Sequence, residues 1–166
     1  MFGRLLALIA GAALAVAASQ GPAFTDQYVQ NLTGRIDELK PIVEEFDAKV
    51  GEYDYTRATA MAECSTATGL LDALCSTYET VVSRYEMLVA HMAELNAASI
   101  WYRPLVLART YKKDIAESVY SVFKPAVPAT PEGFAYGGGG FLAGFLALSI
   151  VFGILGGIFG GGRRYA

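Results

Sequence analysis

Two stretches of the chain are apolar on every face, and they lie at its two ends. Leu5 to Ala18 is an unbroken run of apolar or small residues preceded by Arg4. Phe141 to Gly160 carries no charge and a single hydroxyl, Ser149. As a helix the second run rises about 30 Å, the thickness of a bilayer's hydrocarbon core, so it predicts a transmembrane span. The first run covers only about 21 Å and has two readings. Arg4, the apolar core and Ala15-Val16-Ala17 have the order of a cleaved signal peptide. Extended over 2–24, with Arg4 snorkelling to the headgroups, the same run reaches across a bilayer. The expectation carried forward is a retained anchor.

Between the ends the pattern changes to alternating steps of three and four. Val29, Leu32, Ile36, Leu39, Val43, Phe46 and Val50 form one such stripe. Leu71, Leu74, Tyr78, Val81, Tyr85, Leu88, Met92 and Leu95 form another. This spacing predicts either coiled-coil seams or an ordinary bundle core, most simply two antiparallel helices burying each other's stripe. Such an arm would extend roughly 35–40 Å. Gly21-Pro22 is expected to separate the first span from the ascending helix, with Pro22 in its first turn. Pro41 should kink that helix. At the tip, 51–69, Thr56 to Cys64 reads as a short helix with Asp54 as its cap, and Ser65 to Gly69 as a break.

After the descending helix, Ile100-Trp101-Tyr102-Arg103-Pro104 reads as an interfacial anchor. Ala108, Tyr111, Ile115, Val119 and Val122 then make an apolar stripe opposite Arg109, Lys112, Lys113, Glu117 and Lys124. This amphipathic helix either lies on the membrane surface, the favoured expectation, or packs on the arm's base. Pro125, Pro128 and Pro131 predict an extended linker, and Phe134 and Tyr136 the return to the bilayer. The predicted fold is an all-α membrane protein, with two transmembrane helices flanking an extracytoplasmic helical hairpin and an amphipathic helix. Its expected divisions are an anchor over 1–21, an arm over 22–98, an anchor, amphipathic helix and linker over 99–136, and a span with basic tail over 137–166.

Charge orients this arrangement. Of the 13 basic residues, Arg4, Arg163 and Arg164 flank the two spans, and basic residues near membrane ends stay cytoplasmic. Both termini are therefore expected inside, with 20–136 in a periplasm. That segment holds the other ten basic residues and all 16 acidic ones, a net of −6. The whole chain is 54% hydrophobic and 17% charged, against about 45–50% and about 25% in soluble domains. A net charge of −3 argues against nucleic acid as a partner, which would select clustered positive charge.

Little chemistry is on offer. His91 is the single histidine, and a solvated or core-edge position is its expected role rather than catalysis or metal binding. Cys64 and Cys75 are candidates for a disulfide across the tip, with two buried thiols as the alternative. Glu44, Glu45 and Asp47 read as a solvated face, or as a docking surface for a basic periplasmic partner. No ionisable residue falls in the core of either span, against a proton-relay role. Gly137 to Gly140 lack the Lys-Ser/Thr and preceding strand of a phosphate loop. No catalytic residue, cofactor or metal site is expected.

What the spans do carry is small residues. Gly140 and Gly144, Gly153 and Gly157, and Gly156 and Gly160 are each four apart, and Ala7, Gly11 and Ala15 make a matching face on the first span. Such spacing lets helices approach closely in lipid, either within the chain or between subunits. Trp101, Tyr102, Arg103, Phe134, Tyr136, Arg163 and Arg164 are the expected membrane-interface residues.

Three segments carry a resemblance: Phe2-Gly3-Arg4-Leu5-Leu6, Gln27-Tyr28-Val29-Gln30, and Phe123-Lys124-Pro125-Ala126-Val127-Pro128-Ala129-Thr130-Pro131-Glu132-Gly133. Over its entire length the chain resembles a bacterial domain-of-unknown-function family, number 2937. The resemblance implies a bacterial inner-membrane location and brings no activity, cofactor or site residues. The expected function is a non-enzymatic membrane scaffold that self-associates through its glycine-bearing spans and its arms. The alternative is an accessory subunit of a larger inner-membrane complex, respiratory or photosynthetic. A periplasmic adaptor or chaperone using the arm's tip is a third reading. Expected partners are membrane lipids and either further copies or subunits of such a complex.

Overall fold

A computed structural model describes residues 2–125 and 129–159. Among them the chain is all helical, with six helices and no strand: α1 (Phe2–Gly51), α2 (Arg57–Cys64), α3 (Leu70–Ala97), α4 (Arg103–Thr110), α5 (Lys113–Val122) and α6 (Pro131–Phe159). The expected division of the first span from the arm is absent. α1 is one helix of 50 residues, about 75 Å long, with Pro22 and Pro41 inside it. Proline removes a backbone donor and usually costs about 3 kcal/mol in a helix interior. Here Pro22 is buried against neighbouring elements. The hydroxyls of Ser19 and Thr25 donate to the carbonyls of Val16 and Gly21, both at 2.8 Å.

α6 also begins earlier than the apolar run suggests. Thr130 caps it, its Oγ1 accepting the Gly133 N–H at 3.2 Å, and Pro131 occupies the first turn. Pro131 thus opens a helix rather than closing a linker, and Gly137 to Gly140 are helical. Pro128 lies outside the described residues. α6 makes its most extensive contact with α1. Both helices are long and apolar enough to cross a membrane.

Beyond the α1–α6 pair, α1 packs on α3. Tyr28 meets His91 near one end and Phe46 stacks on Tyr78 near the other, with ring centroids 3.6 Å apart. The contacts run in opposite senses along the two helices. The core gathers Tyr28, Leu32, Leu88 and Leu95 with Leu107, Ile115 and Val119 from α4 and α5. Ile115 and Val119 are 0% and 2% exposed and pack on the base of the α1–α3 pair, whereas Ala108, Tyr111 and Val122 of the same predicted stripe stay exposed. This region is not one free amphipathic helix: the chain breaks at Tyr111-Lys112 into α4 and α5.

The tip differs from expectation in its cap. Thr56, not Asp54, starts α2 through a reciprocal capping box with Thr59, while Asp54 takes a positive φ of 60° in the turn before it. Gly69 ends the following break at φ 66°, a conformation that favours glycine. Leu71 and Leu74, expected in the seam, are exposed, since they lie past the end of α1 at Gly51.

Candidate functional site

The small residues of α1 and α6 let the two helices pack closely. A Cβ placed on Gly140 would lie 2.5 Å from the Leu14 carbonyl oxygen and 2.7 Å from the Ala18 Cβ. One on Gly144 would lie 2.7 Å from Leu14 Cδ1 and 2.9 Å from the Ala10 carbonyl oxygen. On the other side, Gly11 is buried with Phe141 at 3.0 Å from where its Cβ would be, and the Ala15 carbonyl faces Gly137. Each of these glycines weakens its helix by up to about 1 kcal/mol relative to alanine. Close backbone approach offsets that cost, and would do so in lipid too, where apolar helices gain no hydrophobic drive to associate.

The same helix presents other glycines to open space. Nothing lies within 4 Å of a Cβ at Gly138, Gly139, Gly153 or Gly156. Around the latter two, Ile150, Ile154 and Leu155 are exposed. The predicted glycine set therefore divides: Gly11, Gly140 and Gly144 serve the internal seam, while Gly153 and Gly156 do not. Gly157 is helical. Gly160, Arg163 and Arg164 lie outside the described residues.

A second cluster sits at the base of the arm. The Tyr28 hydroxyl accepts the Lys112 backbone N–H at 2.9 Å and lies 3.0 Å from His91 Nε2. Three elements meet at that oxygen: α1, α3 and the α4–α5 junction. Having accepted from Lys112, the hydroxyl can donate to Nε2, which places the imidazole proton on Nδ1. Nδ1 is buried without a hydrogen-bond partner, 3.6 Å from a Glu94 carboxylate oxygen. Burial holds His91 below its ordinary pKa, with Glu94 acting in the opposite sense. Just outside, Asp114 of α5 receives Arg84 at 2.8 Å and Arg35 at 3.1 Å, and the Arg84 hydrogen bond holds its carboxyl below the usual range.

Of the expected interface residues, Trp101, Tyr102 and Arg103 lie at the start of α4, and Phe134 and Tyr136 lie in α6. Trp101, Tyr102 and Phe134 are exposed. Arg103 donates to the Leu95 carbonyl at 3.1 Å, and the Tyr136 hydroxyl donates to the Trp101 carbonyl at 2.8 Å. At the tip, Cys64 and Cys75 are joined in a disulfide, with Cα atoms 5.6 Å apart. The acidic face expected near there is partly engaged: Asp47 pairs with Arg57, which also reaches Glu86 at 3.1 Å, and Glu44 lies 3.7 Å from Lys40. Among the described residues no group of three or more His, Cys, Asp or Glu is placed to hold a metal ion.

Tyr28 and Lys112 are the residues that sequence periodicity missed. The stripe points to Val29, whereas the fully buried residue is Tyr28, one position earlier. A polar-tipped aromatic bordering one stripe and a lone histidine bordering the facing one was the available signal.

Two apolar helices joined by a small-residue seam, with a helical arm between them in sequence, define an all-α protein of the candidate two-span class. The chain belongs to the family described as protein of unknown function, DUF2937, whose family model matches residues 2–160. No curated protein and no solved structure matches it.

Proposed function

We propose that this protein is a non-enzymatic scaffold of the bacterial inner membrane, anchored by α1 and α6 and self-associating through the glycines that the internal seam leaves free. The observation that carries the reading is the division of α6: Gly140 and Gly144 are closed off by α1, whereas Gly153 and Gly156 stand open among exposed apolar residues. Open small residues on a lipid-facing helix accommodate a further helix at close range. In this reading both termini are cytoplasmic, since Arg4, Arg163 and Arg164 flank the spans. Residues 20–136 are then periplasmic, with α1 and α3 forming a coiled-coil-like hairpin.

The test is oligomeric state in mild detergent, measured by native mass spectrometry on protein made without its natural neighbours. A defined homo-oligomer is expected. Gly153→Ile with Gly156→Ile should reduce it to monomer without lowering the thermal unfolding temperature, because neither position touches α1. A monodisperse monomer from the unmodified protein would sink the proposal.

A second reading, an accessory subunit of a larger respiratory or photosynthetic complex, is favoured by the exposed apolar residues at the arm's far end, Leu70, Leu71 and Leu74. Native pull-down separates the two. Co-purification of a stable set of other membrane subunits supports the second, and recovery of this chain alone supports the first.

A further inference from the structure

At the tip of the arm, α3 overhangs the helix it packs on. α1 stops at Gly51, while the α3 seam continues beyond Tyr78 to its first residue, so Leu70, Leu71 and Leu74 stand 78%, 60% and 59% exposed. Tyr53, in the turn after α1, is exposed beside them. This apolar face continues the α1–α3 interface past the end of α1 and stays exposed. Next to it opens a cleft of about 620 Å³, whose lining includes Val50, Tyr53, Ala67, Leu71 and both half-cystines. The Cys64–Cys75 disulfide pins α2 to α3, and the capping box fixes the start of α2, so the surface is held in one shape.

Charge selects what can cover it. Residues 44–79 hold eight acidic residues and only Lys49 and Arg57 as basic ones, a net of −6. The rest of 20–136 is balanced, with eight of each sign. The negative excess of this segment therefore falls within 44–79, where Glu44, Asp47 and Glu52 pair with Lys40, Arg57 and Lys49, and Asp54 and Asp72 stand exposed beside the overhang. A second copy would bring the same charge to the contact, and an anionic lipid surface is repelled in the same way. A segment with apolar anchors and positive flanks matches both the face and its rim.

We propose that the arm tip is a docking surface for a basic amphipathic segment of another protein, its apolar residues laid along Leu70, Leu71 and Leu74 and its Lys or Arg residues against Asp54 and Asp72. This surface does not depend on how the spans associate. The test uses the full-length protein in its own host cells, with Leu71→benzoylphenylalanine or Leu74→benzoylphenylalanine as a photocrosslinker and sequencing of the adduct by mass spectrometry. The expected adduct at both positions is a segment of another protein with an apolar face and net positive charge. Its yield should fall at least threefold when Asp54→Asn and Asp72→Asn are introduced together. An oxidised tip on non-reducing gels checks that these variants still fold. Adducts only with a second copy, with lipid or with a segment lacking positive charge would overturn the proposal. So would a yield insensitive to the neutralised rim, or no adduct at either position.

Discussion

The Tyr28 hydroxyl joins three elements through two hydrogen bonds, one to the Lys112 backbone and one with His91. Tyr28→Phe keeps the ring's packing and leaves both partners unpaired, a loss of about 1–3 kcal/mol readable as a lower denaturation midpoint. The histidine makes the same cluster sensitive to pH. Its folded pKa is depressed below the ordinary 6.5, so the unfolded chain takes up the proton first as pH falls. The stability it contributes is fully present above pH 6.5 and is lost as pH drops through that value toward the folded pKa. Thermal unfolding between pH 7.5 and 5.5 should show this decline, and His91→Gln should flatten it; an unchanged slope would remove His91 as the cause. At the tip, Cys64→Ser with Cys75→Ser should cost about 2–3 kcal/mol and abolish the mobility difference between reduced and non-reduced samples.

At the scale of elements, α1 and α6 show what periodicity can and cannot deliver. The stripe residues Leu32, Val43, Leu88 and Leu95 are buried as their spacing predicts, because burial of one helix face leaves a direct mark on sequence. Helix ends leave a weaker mark. Gly21-Pro22 and Gly137 to Gly140 have the local chemistry of breaks, yet tertiary packing holds both inside helices. Gly140 shows why: it weakens the helix locally and permits a contact with α1 that any larger residue would block, while Gly138 and Gly139 face open space. A small residue that argued against helix therefore allows the seam. Gly144→Ile should destabilise the α1–α6 pair by about 1–3 kcal/mol or more through overpacking, measured by unfolding in detergent. Gly138→Ile, at a position facing open space, is the matched control and should leave stability nearly unchanged. The candidate sites follow the same division. The disulfide pair and the small-residue faces were legible as spacing, whereas the Tyr28 node depends on a junction between α4 and α5 that no period encodes.

For the whole molecule, the proposed topology makes a simple prediction. Both native cysteines are consumed by one disulfide, so they add no background to thiol labelling. A cysteine introduced at Glu52 should react with an impermeant maleimide added outside the inner membrane, and one introduced at Ala166 should react only after permeabilisation. The reverse pattern would invert the orientation. The unbroken α1 adds a mechanical consequence. Its first half lies in the proposed bilayer and its second half forms one side of the arm, and the helix is continuous through Pro22 between them. It is then a lever whose fulcrum is the membrane surface. Over the roughly 40 Å from there to Gly51, a tilt of about 10° displaces the far end sideways by roughly 7 Å. Bilayer thickness changes the tilt of spanning helices. In this topology a thinner lipid that tilts α1 would carry the acidic tip sideways without any change in the fold itself.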